Sequence, residues 1–238
     1  ERDRVQDNGS MTTDSGYFKA DRREGASLLP AAYSTVLEVG CASGGFSQHL
    51  ALPCESWGIE PNPVAAFAAK ERIGRVLVGT YDEVASQLPD RHFDLVICND
   101  VIEHMADHDA FLEAIKRKMA RGGVIVGSIP NIRHITALAK LLIAKDWPYS
   151  ESGILDRTHL RFFTAKSLRR TFDLHHYQTE VIQGLASVIR HGLVRPAKPL
   201  SMPMNMAFRL CTLSVVALTL GSYWDTQYPQ FGFRVRLL

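Results

Sequence analysis

Five short apolar runs, separated by segments of helical spacing, set the pattern of the chain. Each run is bounded by polar, glycine or proline residues, as expected of strands that are covered on both faces of a sheet. The runs are Val36–Val39, Ser56–Glu60, Arg75–Val78, Phe93–Cys98 and Val124–Ser128. Helices are predicted between them, at about Gly45–Leu52, Pro63–Arg72 and Asp107–Met119. This alternation predicts an α/β fold with a doubly wound parallel sheet and right-handed crossovers.

The regular alternation ends after residue 131. An amphipathic run, Ile135–Ile143, leads into a segment that is dense in aromatic, basic and acidic residues, 145–163. Such a density of functional groups outside the sheet indicates a surface that faces a substrate. A predicted helix, Ala165–Phe172, and a predicted strand, His176–Gln183, follow.

The C-terminal part contains two further apolar segments. Cys211–Gly221 is apolar, but a stretch of about a dozen residues is too short for a bilayer span. We interpret it as a buried helix, with a helix that faces a membrane surface or a partner protein as the alternative. In Phe231–Leu237 apolar residues alternate with glycine and arginine, which predicts a half-buried strand.

Composition narrows the functional classes only slightly. The formal net charge is +2 over 238 residues, so bulk electrostatics does not indicate a nucleic-acid partner. The four cysteines have no C-x-x-C spacing, which favours reduced, buried thiols in a cytoplasmic protein. Residues 1–15 are polar, and we expect a disordered N-terminus or an expression-vector remnant there.

The turn after the first strand is the main candidate for a binding site. Here an apolar strand runs into Gly40-x-Ala42-x-x-Gly45 and then into a helical segment. Small residues at such a turn let a ligand contact the backbone. The second strand ends in Glu60, twenty positions after Gly40, where a carboxylate can accept both hydroxyls of a ribose. Together these features predict a cofactor that contains adenosine.

The residues of the turn distinguish between two cofactors. In a dinucleotide fingerprint the position of Ala42 is glycine, because the backbone must approach a pyrophosphate there. Glu38 would also repel a pyrophosphate, whereas it suits a cationic ligand. S-adenosylmethionine is therefore favoured. An NAD-dependent oxidoreductase would need Ala42 to be tolerated and a Tyr-x-x-x-Lys pair, which the sequence lacks.

Four motifs in order, VLEVGCASGGFS, GIEPN, FDLVICNDVIEHM and ARGGVIVGSIPN, resemble those of class I S-adenosylmethionine-dependent methyltransferases. The resemblance covers roughly residues 16–180. It implies a seven-stranded Rossmann-like sheet whose last strand enters antiparallel beside strand five. It also implies one methyltransferase domain over 16–238, with 132–163 as a substrate cap and 184–238 as a C-terminal helix and closing strand.

A further segment, GILDRTHLRFFT, resembles a bacterial subgroup associated with O-antigen and surface-polysaccharide biosynthesis. This likeness implies that the acceptor is a hydroxyl group of a sugar or glycan, methylated in the cytoplasm. Contact with a membrane surface is compatible with such an acceptor. A non-catalytic, partner-binding module with the same fold is a third interpretation, which the intact cofactor turn disfavours.

The resemblance extends the set of cofactor-binding residues beyond the turn and Glu60. Tyr81 and Asp82 follow strand three, where this class meets the adenine, and Tyr17 is a candidate lid residue. The alternatives are an N-cap role for Asp82 and simple packing for Tyr17. The predicted cofactor set is Tyr17, Glu38, Gly40, Ala42, Gly44, Glu60, Tyr81, Asp82 and Asn99.

Transfer of a methyl group to a hydroxyl also needs a base, because the acceptor must lose a proton. His104, just after strand four, and His159, in the cap, are the candidate bases, and Asp100 completes the predicted catalytic set. In the cap, Arg157 and Arg161 are predicted to hold an anionic substrate; pairing with the cap acids Glu151 and Asp156 is the alternative. Tyr149 is the third predicted substrate residue.

The segment after strand four permits a second chemistry. Asp100, Glu103 and His104 form D-x-x-E-H, and with His159 they would offer two carboxylates and two imidazoles to a divalent cation. Some enzymes of this class, including one that acts on the 3′ end of small RNA and one of the ubiquinone pathway, are similar, with E-x-x-E-H. In this chain Asp100 stands where those enzymes have the first glutamate, and its side chain is one methylene shorter. A metal-free site is therefore favoured. In that case Glu103 would cap the next helix and Asp100 would hold the cofactor's ammonium group.

Overall fold

In the computed structural model the described residues are 23–51, 53–187, 201–219, 221 and 223–238. The predictions for residues 1–15 and for Tyr17 lie outside these ranges. Seven strands form one sheet. They are β1 (Thr35–Val39), β2 (Glu55–Glu60), β3 (Arg75–Val78), β4 (Phe93–Asn99), β5 (Met119–Pro130), β6 (Tyr177–Leu185) and β7 (Gln230–Leu237).

The strand order is β3-β2-β1-β4-β5-β7-β6. The first five strands are parallel, and β7 is antiparallel to both β5 and β6. This arrangement confirms the predicted α/β fold and the antiparallel strand beside strand five. Since the chain reverses its order at β1 and β4, the carboxyl ends of these strands open onto a crevice where ligands bind in such sheets.

Six α-helices accompany the sheet in the described ranges. They are α1 (Pro63–Ala69), α2 (Tyr81–Val84), α3 (His108–Lys116), α4 (Ile135–Leu142), α5 (Ala165–Leu174) and α6 (Ser201–Leu218). The start of α1 shows why the sequence begins a helix there: Asn62 Oδ1 accepts from the N–H groups of Val64 and Ala65, and Pro63 has no N–H group to satisfy.

Apolar side chains fill both faces of the sheet. One cluster joins β4, β7, α3 and α5 and includes Phe93, Leu112, Phe172 and Phe233. The rings of Phe172 and Phe233 lie 4.9 Å apart between centroids, which links α5 to the strand that closes the sheet. A second cluster covers the other face, around Ile97. The two layers give the carboxyl ends of the strands a rigid base.

Two predicted helices differ from the structure. After β1 there is only a 3-10 turn, Phe46–His49, because Leu50 is extended and the Ala51 N–H donates to the Tyr33 hydroxyl instead of to a helix carbonyl. The apolar segment 211–221 does contribute to a helix, α6, but the expectation that it is buried is wrong. Leu213 and Leu218 are exposed, whereas Thr212 is buried. Within the described ranges, every helix is too short or too polar to cross a bilayer.

Candidate functional site

The turn after β1 is fastened to β2 by main-chain hydrogen bonds. The N–H groups of Gly40 and Cys41 both donate to the Ile59 carbonyl, at 2.8 and 3.0 Å. Gly40 has a φ of +67°, and a Cβ atom there would come within 2.7 Å of Val101, so only glycine fits. Ala42 also adopts a left-handed conformation, with a φ of +48°. The turn therefore exposes backbone to the crevice, as the sequence predicts.

Glu60 links this turn to the end of β2. One carboxylate oxygen accepts from the Ala42 N–H and the other from the Asn62 N–H, each at 2.8 Å. Burial raises the pKa of Glu60, although these hydrogen bonds oppose the shift. Because each oxygen keeps a second lone pair, the carboxylate can still accept from a ligand. It is therefore placed to bind the hydroxyls of a ribose.

A cavity of about 970 Å³ lies above this turn, within the usual size of ligand sites. Six acidic residues line it: Glu60, Asp82, Asp100, Asp107, Glu151 and Asp156. Arg157 is the one lysine or arginine among the described lining residues, and it pairs with Glu151. An excess of carboxylates disfavours a pyrophosphate and suits a ligand that carries positive charge. The cavity thus fits S-adenosylmethionine better than NAD.

The other predicted cofactor residues divide into two groups. Asp82 and Asn99 line the cavity, as does Tyr81, whose ring is buried against Phe111 with 5.0 Å between centroids. Glu38 and Gly44 are not among its described lining residues. Gly44 instead closes the turn, with its N–H on the Cys41 carbonyl.

The helix after strand three settles the alternative role of Asp82. The N-cap of α2 is Thr80, which forms a capping box with Glu83. Asp82 lies in the first turn of this helix, so the predicted N-cap alternative is wrong. Its carboxylate can therefore contact a ligand in the cavity that Asp82 lines. Burial raises the pKa of the Tyr81 hydroxyl to about 12, so that Tyr81 is neutral there.

His104 lies at the far end of the cavity, in the 3-10 turn Ile102–His104 after β4. Its Nδ1 is 3.2 Å from the Thr158 carbonyl oxygen and from the Thr158 hydroxyl. Since a carbonyl can only accept, Nδ1 carries the proton and Nε2 carries the lone pair. Burial, together with nearby His159, lowers the pKa of His104. The imidazole is therefore neutral at pH 7 and able to accept a proton.

His159 comes from the cap and lies beside His104. The two ring centroids are 4.8 Å apart, and His159 is buried. Its Nδ1 is 3.1 Å from the Ile154 carbonyl oxygen, so here too Nε2 carries the lone pair. The structure thus brings both predicted bases together, although only His104 is among the described lining residues of the first cavity.

Main-chain bonds hold the cap in this position. The Glu103 carbonyl accepts from the N–H groups of Leu160 and Arg161, at 2.8 and 3.1 Å. Asp156 Oδ1 accepts from the N–H and the hydroxyl of Thr158, which in turn contacts His104. The segment after β4 and the cap are therefore one connected unit.

Asp100 is the third predicted catalytic residue, and it has its own set of partners. Its carboxylate accepts from the Ser128 hydroxyl at 2.9 Å and from the Gln230 amide at 3.0 Å. The residue has a φ of +51°. It lies between the first cavity and a second one of about 640 Å³. This position places its carboxylate at the junction of two spaces.

The second cavity is a candidate acceptor site. His104 and His159 both line it, next to apolar groups of Pro130, Ile154 and Leu185. Its described lining contains four acidic residues and no lysine or arginine; these acids are Glu24, Asp100, Glu103 and Asp156. Such a lining disfavours an anionic acceptor.

Three of the four predicted metal ligands come together. Ligand atoms of Glu103, His104 and His159 all lie within 4.8 Å of one another, whereas Asp100 is outside this group. Glu103 is buried and does not cap the next helix, because the N-cap of α3 is Asp107. The expected capping role of Glu103 is thus wrong. A carboxylate and two imidazoles are a suitable donor set for a divalent cation.

The predicted anion clamp is not assembled. Arg157 lines the first cavity but pairs with Glu151, which is the alternative expected from the sequence. Arg161 donates to the carbonyls of Leu160 and Ala106 and lines neither cavity. Tyr149 is exposed and also lies outside both linings. These three side chains therefore do not converge on one space in which an anion could bind.

Three residues of the site were missed in the sequence. Thr158 orients His104, and Ser128 and Gln230 hold Asp100. The Asp-x-Thr spacing before His159 was a readable signal for a local turn. Ser128 and Gln230 had no such signal, because they approach Asp100 only through the order of the strands.

Comparison with known proteins shows which family the chain resembles. Residues 14–183 match the family described as "Methyltransferase domain". The chain is 30% identical over 138 residues to a ubiquinone biosynthesis O-methyltransferase of Azorhizobium caulinodans, covering 55% of this chain and 52% of that protein. It is 31% identical over 99 residues to ajmaline N-methyltransferase of Rauvolfia serpentina, covering 38% and 34%. The chain thus spans about half the length of the first relative and a third of the second.

The fold also has solved counterparts. A SAM-dependent methyltransferase from Archaeoglobus fulgidus superposes with a TM-score of 0.64 over 93% of both chains, at 17% sequence identity. At this identity the likeness concerns the fold alone. The seven-stranded sheet of this chain is therefore arranged like that of the Archaeoglobus fulgidus protein.

Proposed function

The chain belongs to the methyltransferase-domain family, and we propose that it transfers the methyl group of S-adenosylmethionine to a hydroxyl group of a small, uncharged acceptor. The cofactor supplies a methyl group that is activated on positively charged sulfur. One observation carries the proposal: an acidic cavity above a glycine turn shares His104 with a second cavity, where His159 lies beside it, and the Nε2 atoms of both imidazoles carry lone pairs. Such a cavity can hold a cationic donor beside a proton acceptor.

We assign the role of general base to His159. Its Nδ1–H donates to the Ile154 carbonyl, which fixes the ring and leaves Nε2 to take the proton from the acceptor hydroxyl. His104 stays neutral because burial lowers its pKa, so it does not repel a protonated His159. The cap tethered to Glu103 excludes water and keeps donor and acceptor aligned.

The proposed acceptor site is the second cavity. Its acidic lining supports an uncharged acceptor, and its apolar groups support one with a flat ring. The relatives named above include an O-methyltransferase of ubiquinone biosynthesis, which favours an oxygen atom as the methyl acceptor. A sugar or glycan hydroxyl, expected from the cap segment, is the second candidate acceptor.

Calorimetric titration with S-adenosylhomocysteine, with NAD as the matched control, tests the cofactor. We expect micromolar binding of the former alone; binding of NAD alone would replace the proposal by an oxidoreductase. Transfer of a labelled methyl group to catechol or to methyl glucoside then separates the two acceptors. Transfer to neither, despite cofactor binding, would argue against both acceptor classes.

A metal-assisted reaction is the second candidate, favoured by the group of Glu103, His104 and His159. A divalent cation there would lower the pKa of the acceptor hydroxyl. Titration with Mn²⁺, followed by its paramagnetic resonance signal, tests binding without reference to activity. We expect a Glu103→Gln variant to lose the bound-ion signal if the group holds metal; activity that survives exhaustive chelation would exclude a metal role.

We also propose that the protein acts in a reducing compartment such as the cytoplasm. The four cysteines, Cys41, Cys54, Cys98 and Cys211, are all free. Free, buried thiols such as Cys98 persist where glutathione keeps cysteine reduced. Fractionation of cells, followed by detection of the chain, would test this assignment.

A further inference from the structure

The end of α4 exposes an unusual run of apolar side chains. Leu141, Leu142 and Ile143 are 46%, 70% and 81% exposed. Earlier in the same helix Ile135 and Ala137 are buried. The start of α4 is therefore anchored to the domain, while its last turn projects into solvent. Exposing such residues to water is unfavourable unless another apolar phase receives them.

The chain reverses direction immediately after this projection. Lys145 adopts a left-handed conformation, with a φ of +54°, and the Asp146 N–H donates back to the Lys140 carbonyl at 3.1 Å. These features end the helix and bring the following residues back along it. Leu142 and Ile143 are thus held at the tip of a closed turn rather than in an open loop.

The charges beside the tip have one dominant sign. Lys140 and Lys145 are exposed on either side of the apolar residues. Asp146 is the acid of this turn, and its carboxylate accepts from the Trp147 N–H. Tyr149 is also exposed. Lysines next to leucine, isoleucine, tryptophan and tyrosine are the composition of helices that lie in the interface of an anionic membrane.

A chain of aromatic contacts joins this region to the site. The ring of Trp147 lies 5.2 Å from that of Phe162, which lies 6.3 Å from His159. His159 in turn contacts His104. The projecting turn is therefore close, through the cap, to the proposed base.

We propose that residues 140–149, here called the docking turn, insert into the surface of an anionic lipid bilayer. The turn would lie in the interface without crossing it, with Leu142 and Ile143 among the acyl chains and the two lysines at the lipid phosphates. A protein partner fits less well, because stable protein interfaces bury about 800 Å² per partner in a broad patch, whereas this is a narrow tip. If the proposed function holds, the site would receive an acceptor from the lipid phase.

Sedimentation with vesicles tests the docking turn independently of catalysis. The protein is mixed with vesicles of phosphatidylcholine alone or with added phosphatidylglycerol. We expect binding mainly to the anionic vesicles, and at least a tenfold loss of binding in a Leu142→Asp/Ile143→Asp variant. Replacing Lys140 and Lys145 by glutamine should weaken binding about fivefold per lysine at low salt.

A matched control is available on α1, which exposes Val64 and Phe67 at 71% and 75%. A Val64→Asp/Phe67→Asp variant should bind vesicles like the unaltered protein. Equal loss in both double variants, or no vesicle binding by the unaltered protein, would overturn the proposal. Loss only in a Leu213→Asp variant would instead assign the contact to α6.

Two further measurements distinguish membrane docking from self-association and from a folding defect. Light scattering should give the same molecular mass for the unaltered protein and for the Leu142→Asp/Ile143→Asp variant. A higher mass for the unaltered protein alone would mean that the docking turn is an interface between copies of the chain. Titration of that variant with S-adenosylhomocysteine should match the unaltered protein, because the exposed tip is outside both cavities. Failure of cofactor binding in both proteins would count against the proposed function and leave the vesicle result valid.

Discussion

The two walls of the candidate site are held in different ways. On the cofactor wall, the turn at Gly40 is fastened to the adjacent strand by main-chain bonds, and Glu60 reaches Ala42 across 18 positions. On the acceptor wall, the contacts come from much farther along the chain. Thr158 orients His104 across 54 positions, and Gln230 holds Asp100 across 130.

This difference indicates that the two walls can change separately. The cofactor wall forms as soon as β1, β2 and β4 pair, since its bonds run between neighbouring strands. The acceptor wall also requires the cap and β7 to be in place. Changes in the first wall should therefore affect cofactor affinity, and changes in the second should affect turnover.

The largest expected effect is on the acceptor wall. His159→Ala should lower kcat about 100-fold or more, because it removes the proposed base, while the affinity for S-adenosylhomocysteine stays within about twofold. Steady-state kinetics and calorimetry measure the two quantities. His176→Asn, at an exposed histidine, is the control. An equal loss of turnover and affinity would show that the walls are not separable.

The next effect is on the cofactor wall. Glu60→Ala should weaken S-adenosylhomocysteine binding about 10- to 100-fold, since hydrogen bonds to a charged group contribute about 1.5–3 kcal/mol. It would also leave the N–H groups of Ala42 and Asn62 without their acceptor. The affinity of a Glu60→Gln variant should lie between those of the unaltered protein and of Glu60→Ala, because its amide retains one acceptor oxygen. Calorimetry measures the affinity of each variant for S-adenosylhomocysteine, and an unchanged affinity would refute the ribose assignment.

A smaller effect is expected when a positioning contact of the acceptor wall is removed. Thr158→Val deletes the hydroxyl beside His104 but keeps the carbonyl that accepts from Nδ1. We expect kcat to fall about three- to tenfold with cofactor affinity unchanged, and Tm to fall slightly, because the same hydroxyl also donates to Asp156. Thr179→Val, which deletes a buried hydroxyl on β6, is the matched control. A similar fall in kcat for both variants would rule out a specific role for Thr158.

The smallest effect concerns a contact remote from both walls. His175 lies between Asp109 and Glu113, with its ring nitrogens 2.7 Å from each carboxylate. Burial opposes protonation, but these hydrogen bonds outweigh it and raise the pKa of His175. This stabilisation is full below the unfolded pKa of about 6.5 and is lost as the pH rises through the folded pKa.

His175→Gln should therefore lower the free energy of unfolding by about 1 kcal/mol at pH 6 and by less at pH 9, the exposed carboxylates being screened by solvent. Urea unfolding at the two pH values measures this difference. Cofactor affinity and kcat should stay unchanged. A pH-independent loss would assign the contact a packing role instead.

The same contrast explains what could be predicted from the sequence. The strands, the Gly40 turn and Glu60 were predictable because their signals are local: an apolar run, small residues and a spacing. The helix after β1 was not, because the Tyr33 hydroxyl competes for the Ala51 N–H. Nor were Ser128 and Gln230, whose contact with Asp100 depends on which strands are neighbours. The cap placed His159 as predicted but turned Arg161 to backbone carbonyls.

The position of β7 has a consequence for how the protein is made. This strand is synthesised after β6, yet it lies between β5 and β6 in the sheet. While the chain emerges from the ribosome, β6 therefore has no neighbour to pair with, and the edge of β5 stays open. Only when β7 is released can it fill this gap and bring Gln230 to Asp100. A nascent chain would thus hold an assembled cofactor turn well before its acceptor wall is complete.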